Sequence, residues 1–485
     1  MQTALDSGTE KRILKIFGVD SLREGQRTLI EAALAEENSL GVLPTGHGKS
    51  LCYQAAAVLM GGTSVVVSPL IALMRDQVQG LRNRGIAAAR FDSTLEEGER
   101  NALLADLAAG RLTLLFVAPE SLESPALQQA LARTKLSLFV VDEAHCVSQW
   151  GHSFRPDYLR LPRFFQHSKF RCVMALTATA TTRVQADLCK AFGVPPERVA
   201  ALSPHRPNIH RAALSPADRD AALADFLNAP GHRPSIVYAR TRKGVEAISA
   251  RLAQAGFASA CYHAGMPADV REQIQDAFLA NDKDVLVATI AFGMGIDKPD
   301  VRSVVHYDVP SSPEAYLQES GRAGRDGQPA QSLVLLDGAD LTDARNRIRA
   351  AEPDEEGVLR AVRWLLPAGG KVVSLWELGT TCDVPDDVAQ RALALLQDAG
   401  AVEITGRGYK FYKVRPLFPL STICDGRDKA ETARLQWLDK HREGEVEEAA
   451  FAWDCTPAEV MDQLRECEAA GEWKLTRRQQ VLCLR

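Results

Sequence analysis

Short apolar runs alternate with amphipathic stretches rich in Ala and Leu along the first two thirds of the chain. Leu40–Leu43, Ser64–Ser68, Leu112–Ala118, Leu138–Val141 and Val173–Leu176 each predict a buried strand, with helices between them. A second block repeats the alternation, with strands predicted at Ser235–Ala239, Ser259–Tyr262, Asp284–Ala288, Ser303–Tyr307 and Ser332–Leu336. Strands alternating with helices predict parallel sheets covered on both faces, so the fold class is α/β. Ser203–Asn208, with Pro204 and Pro207, reads as the linker between two tandem domains, 1–208 and 209–350. Such a pair leaves a cleft that opens and closes.

Past residue 350 helical periodicity dominates, and a weak repeat offset by 71 residues emerges. Ala389, Leu393, Leu396, Gly400, Val402 and Ile404 match Val460, Leu464, Cys467, Gly471, Trp473 and Leu475. Each copy predicts a helix begun near a proline (Pro385, Pro457), stopped by glycine and followed by a short hairpin. That is the order of a winged-helix module, here spanning 351–415 and again 416–485. Chance similarity between two amphipathic helices is the competing explanation.

Composition narrows the class. The 485 residues, 46% hydrophobic and 25% charged, suit a soluble multidomain protein. No apolar run is long enough to span a bilayer, and the charged N-terminus shows no secretory signal. Ten scattered cysteines without a CxxC pair point to free thiols in a reducing cytoplasm. A net charge of −5 excludes a wholesale polycation but permits a local basic groove for nucleic acid.

The chemistry starts at Leu40–Ser50, a glycine-rich turn between a strand and a helix. Backbone N–H groups of Thr45, Gly46, His47 and Gly48 suit phosphates; Lys49 reaches the β/γ-phosphates and Ser50 ligates Mg²⁺. The strict pattern has glycine where this chain has Leu43. At the end of the Leu136–Val141 run stand Asp142, a Mg²⁺-holding carboxylate, and Glu143, a base orienting water. A helix N-cap is the plainer reading of that pair. Thr177-Ala178-Thr179-Ala180 ends the next strand as a candidate hydrolysis sensor, or simply a strand of small residues. In the second block Gln318 precedes Arg322 and Arg325, two arginines three apart that can point across the cleft at the γ-phosphate.

Assembled, these motifs resemble superfamily 2 helicases and, more narrowly, the RecQ family, over roughly Phe17 to Asp337. The resemblance implies two RecA-like domains, ATP and Mg²⁺ as cofactors, and adenine contacts from Arg23 and Gln26. Val19 stands where the family often has an aromatic. Ser68–Gln77 and Ala118–Leu122 match DNA-contacting motifs. The aromatic-rich segment Trp150–Tyr158 matches the loop that couples single-strand binding to hydrolysis, with Trp150 and Phe154 stacking on bases and Arg155 reaching the cleft. The family's four-cysteine zinc site has no counterpart, since only Cys382 and Cys424 fall in 341–427, so zinc is not expected.

Gly406–Arg415 carries four basic residues and three aromatics, making Arg407, Tyr409 and Lys410 candidate DNA contacts on a wing. Lys474, Arg477 and Arg478 form a smaller patch, while neighbouring helices are acidic. Packing of Phe411 against helices is the alternative. The expected protein is an ATP-dependent DNA helicase of repair or recombination, with 3′-to-5′ polarity implied by resemblance. Its substrates would be single-stranded and tailed or forked duplex DNA. An RNA helicase, a duplex translocase that does not unwind, and a nucleotide-switched DNA-binding regulator are the alternatives.

Overall fold

The computed structural model describes residues 5–92, 94–148, 156–290, 292, 298–340, 342, 345, 355–366, 372–384, 386–402, 404–425, 427–470 and 472–484. Two compact units result, Met1–Asn346 and Arg347–Arg485.

The first unit contains two parallel sheets. The N-terminal sheet is built from β1 (Ser39–Val42), β2 (Thr63–Val67), β3 (Ala88–Phe91), β4 (Leu114–Val117), β5 (Leu136–Val141), β6 (Cys172–Thr177) and β7 (Val199–Ala201). Their order is β3-β4-β2-β5-β6-β1-β7. Every residue of β2, β4, β5 and β6 is buried. Alternate side chains feed two cores: Val65, Phe139 and Val141 enter one, Val66, Leu138 and Val140 the other. A strand buried on both faces has no polar side, which is why these segments read as continuous apolar runs.

The second sheet comprises β8 (Ile209–Leu214), β9 (Ser235–Tyr238), β10 (Ser259–Tyr262), β11 (Val285–Ala288), β12 (Ser303–His306) and β13 (Ala330–Leu335), in the order β10-β11-β9-β12-β13-β8. Three strands escape the hydrophobic pattern: β3, β7 and β8. All lie at sheet edges, where one flank is unpaired and burial is incomplete; β8 is mostly exposed. The Ser203–Asn208 linker therefore runs from the last strand of one sheet into an edge strand of the next.

In the second unit β14 (Val372–Val373), β15 (Ile404–Pro416), β16 (Glu443–Glu445) and β17 (Trp473–Leu484) form one antiparallel sheet ordered β14-β17-β15-β16. The repeat is visible in its helices. Leu375–Cys382 and Asp386–Asp398 recur at the 71-residue offset as Val446–Trp453 and Pro457–Ala469. Asp383 and Asp454 close the first helix of each copy at φ 51° and 52°. The expected hairpin at Gly406–Arg415 is instead part of one long strand. It pairs along its length with the equivalent strand of the other copy, and at Phe411–Lys413 also with β16; Tyr409 pairs with Gln480, its own repeat counterpart. Pairing with the second copy satisfies the backbone groups that a hairpin would have satisfied locally. Tyr412 and Val414 of β15 lie in the core of the second copy with Trp453, Val460 and Leu464. Among the described residues no helix is long and apolar enough to cross a membrane.

Candidate active site

The carboxyl ends of β2, β5, β6 and β1 lie side by side in the first sheet, and open α/β sheets place ligand chemistry at such ends. The loop after β1 turns at Gly46 and Gly48, at φ 80° and 84°. A Cβ on Gly48 would sit 2.7 Å from Gln26 Nε2, so both conformation and space demand glycine. The helix Lys49–Met60 follows with no side-chain cap, leaving its first N–H groups directed at the loop. Leu43, at the position where the strict phosphate-loop pattern has glycine, is fully buried in the core. Its N–H donates to Thr177 O (3.0 Å), tying β1 to β6.

Arg23 and Gln26 brace this loop. Gln26 is buried; its Nε2 donates to His47 O (2.8 Å) and Gly48 O (3.2 Å), and its Oε1 accepts from Arg23 N–H (2.7 Å). Arg23 Nη1 donates to Gly46 O at 2.5 Å. His47 Nε2 lies 2.8 Å from Glu24 O, and Lys49 Nζ donates to Leu43 O at 3.4 Å.

Asp142 and Glu143 leave β5 beside this loop. Asp142 N–H donates to Val67 O (2.9 Å); its carboxylate accepts from Glu143 N–H (3.0 Å) and Ser68 Oγ (3.4 Å). Burial, then the negative Glu143, pushes the Asp142 carboxyl up to about 7, with Lys49 opposing. Glu143 is held at φ 50°, a left-handed geometry that costs a non-glycine residue about 1 kcal/mol. Its Oε2 is buried and takes no hydrogen bond among the described residues, with His145 Nδ1 3.4 Å away. Thr177 Oγ1 donates to Thr179 O (2.9 Å), so His145 Nδ1, 2.9 Å from Thr177 Oγ1, is the protonated donor there. The Thr177–Thr179 strand end is thereby joined to the carboxylate turn. Ser50 and Asp142 offer hydroxyl and carboxylate oxygens, the hard donor set suited to Mg²⁺, which usually takes one or two protein ligands beside phosphates and waters. Among the described residues no group of three or more His, Cys, Asp or Glu is placed to hold a metal.

Tyr158 is fully buried and its hydroxyl donates to Asp142 O at 3.0 Å, so the far end of the aromatic segment anchors the carboxylate turn. Trp150, Phe154 and Arg155 lie outside the described residues.

The second sheet contributes the opposite wall. Gln318 is half-buried on the helix Pro313–Ser320, one turn before Gly321. A Cβ on Gly321 would stand 3.4 Å from Thr45 Cβ, and one on Gly46 would meet Arg325 Cγ at 3.3 Å. Arg325 therefore lies over the phosphate loop. Arg322 is buried at 7% exposure and lies near the buried Tyr238, Glu319 and the latter's partner His306 (2.8 Å). The two arginines, equivalent in sequence, have different surroundings.

Arg206, read from sequence only as linker, stands in this cleft. Nη1 donates to Thr45 O (3.2 Å) and Gly321 O (3.5 Å), Nη2 to Gly324 O (2.6 Å). Its one sequence signal is an isolated cation between two prolines. In the second unit Arg407 and Tyr409 are strand residues of β15 opposite Leu482 and Gln480, and Lys410 Nζ is 3.5 Å from Glu377 Oε2.

The DEAD/DEAH box helicase model matches residues 23–188 and the helicase conserved C-terminal domain model matches 218–327, both ending before the second unit. The ATP-dependent DNA helicase RecQ of Synechocystis is 40% identical over 336 residues, 67% of this chain and 70% of that protein. The probable ATP-dependent DNA helicase RecS of Bacillus subtilis is 38% identical over 364 residues, 73% of this chain and 72% of its own. The chain belongs to the RecQ family. It spans about half the length of other RecQ relatives, such as that of Pasteurella multocida (40% identical, 70% of this chain, 53% of that protein). The fold is shared more widely. Saccharomyces cerevisiae Dbp5 bound to RNA and ADP BeF3 superposes with a TM-score of 0.56 at 18% identity, over 72% of this chain and 93% of that one. Mycobacterium smegmatis Lhr bound to ssDNA and AMP-PNP gives 0.55 at 20% identity, over 79% and 55%. At those identities the likeness is one of fold.

Proposed function

We propose that the chain is an ATP-driven DNA helicase. One observation carries the proposal: Lys49, Asp142 and Glu143 gather at one wall of a cleft whose opposite wall sets Arg325 over Gly46. That arrangement is suited to phosphoryl transfer to water, and the RecQ relatives named above are called DNA helicases.

The loop N–H groups and Lys49 hold the phosphates; Ser50 and Asp142 hold Mg²⁺, which neutralises phosphate charge when bound. Glu143 Oε2 accepts a hydrogen bond from the attacking water and takes its proton. Arg325 balances charge developing on the transferred group. Arg23 and Gln26 support the nucleotide end of the site, the base contact requiring exchange of their present loop contacts. Closure of the two walls on ATP and reopening after hydrolysis shift the grip on single-stranded DNA. Trp150, Phe154 and Arg155 on the aromatic segment, and Arg407, Tyr409 and Lys410 on β15, are the proposed DNA contacts. The helices Asp386–Asp398 and Pro457–Ala469 are acidic and unsuited to phosphate contact. A reducing cytoplasm suits the cysteines, nine of which are thiols outside any disulfide.

Strand displacement on a 3′-tailed DNA duplex, with the RNA duplex alongside, tests the reading. Unwinding of DNA, lost in Glu143→Gln with DNA binding retained, is the expected result. ATPase stimulated by RNA and not by DNA would overturn it.

A further inference from the structure

The strand β12 ends on His306, and that imidazole holds the helix that leads into the arginine turn. β12 lies between β9 and β13, so His306 is flanked by Tyr238 and Val334 in the interior of the sheet. It is buried, and its Nε2 donates to Glu319 Oε2 at 2.8 Å, since a carboxylate only accepts. Among the described residues its Nδ1, also buried, takes no hydrogen bond, so Glu319 is where the ring is tied. Its plane is set from two sides, by the Tyr238 ring (centroids 5.7 Å apart, 23° between planes) and by the Tyr316 ring (5.3 Å, 49°). Tyr316 and Glu319 lie one turn apart on the helix Pro313–Ser320, so a single side chain grips that helix at two points.

The arginine turn follows directly. Gly321 N–H donates to Leu317 O (3.0 Å), Arg322 N–H to Glu319 O (3.2 Å) and Ala323 N–H to Ser320 O (3.1 Å), so backbone bonds continue the helix into the turn. A tilt of the helix at Glu319 is carried through these bonds to Gly321, which abuts Thr45, and on to Arg325, which lies over Gly46. Stability alone is a poor reason for the pair. Buried polar partners gain little over apolar side chains of like volume, because the desolvation cost offsets their attraction. What Glu319 and His306 add to an apolar contact is direction. A 2.8 Å hydrogen bond between two buried groups fixes the helix in rotation and along its axis.

We propose that His306 and Glu319 are positioning residues for ATP hydrolysis, setting Arg325 over the phosphate loop through the helix Pro313–Ser320. This rests on the reading above that the cleft hydrolyses ATP, and adds two residues that act through Arg325.

The full chain is assayed for ATP hydrolysis at saturating oligo-dT, and by thermal melt. The variants are Glu319→Gln and the apolar pair His306→Phe/Glu319→Met, each with and without Arg325→Ala. The apolar pair conserves volume and should keep the melting temperature. It should nonetheless lower kcat about tenfold or more with KM for ATP little changed, because misplacement by about an ångström costs up to about a hundredfold. Glu319→Gln keeps an oxygen facing Nε2 and should hold kcat within about twofold of wild type. On the Arg325→Ala background the apolar pair should cause no further loss, since its effect runs through that arginine. Wild-type kcat in the apolar pair, a loss as large with Arg325→Ala as without it, a rise in KM in place of the fall in kcat, or a Glu319→Gln variant as slow as the apolar pair overturns the proposal. So does an apolar pair that melts well below wild type, which would make the bond a matter of stability. Absence of ATP hydrolysis in the wild type instead overturns the reading of the cleft, so the two failures are distinct.

Discussion

Arg325 of the second sheet domain lies against Gly46 of the phosphate loop, its Cγ 3.3 Å from where a side chain at Gly46 would begin. Arg322, three residues earlier, is buried near Tyr238. One arginine faces the ligand space and the other supports its own domain.

Arg325→Ala is therefore expected to lower kcat for ATP hydrolysis about 10³-fold or more with the melting temperature preserved. Arg322→Ala should instead destabilise the fold by about 3 kcal/mol, since it strips a buried charge from its partners. Steady-state ATPase and thermal melts on both variants separate the roles; equal loss of kcat with equal melting temperatures would contradict the assignment.

The Asp142 carboxyl, raised from 3.8 to about 7, makes a pH prediction. Below about pH 4 it is protonated in folded and unfolded chains alike. Between about 4 and 7 only the folded chain keeps the proton, so its contribution to stability falls as pH rises through that window. Above 7 the carboxylate is charged, and Lys49 is the counter-charge facing it among the described residues. A cation bound there competes with the proton. The melting-temperature gain from Mg²⁺-nucleotide should therefore be larger at pH 8 than at pH 6, and a gain independent of pH would speak against Asp142 as ligand.

Arg206 reaches Thr45 on one wall and Gly321 and Gly324 on the other through a single guanidinium fork. Arg206→Ala should lower kcat/KM for ATP about tenfold, and Arg206→Lys should recover little, because an ammonium cannot span three carbonyls at fixed angles. Kinetics of the two variants at saturating DNA provide the check.

In the second unit, Tyr412 of the first copy fills the core of the second and donates to His441 O (3.0 Å). Tyr412→Ala is expected to cost about 3 kcal/mol. The loss should appear as faster amide exchange in the helix Pro457–Ala469, a module away in sequence. Exchange changes confined to residues before Pro416 would show that the copies are independent.

Glu143 and Lys49 were legible in the chain itself, because a phosphate loop needs glycine, lysine and serine at fixed local spacing and β5 announces its end by turning from valine to acid. The same local logic exposed the buried strands and the 71-residue repeat. It missed β3, β7 and β8, whose edge positions relax the demand for apolar residues. It also misread the ribbon as a hairpin, since a strand's own residues do not say whether its hydrogen-bond partner is a turn away or a repeat away.

What the sequence by itself determined was the chemistry of each motif and the periodicity of the elements carrying it, both set by residues close together along the chain. Tertiary structure alone decided that Arg325 rather than Arg322 meets the phosphate loop, that Arg206 joins both walls, and that β15 completes the core of the second copy. Each depends on contacts between residues far apart in sequence, and those are fixed only when the sheets pack and the cleft is formed.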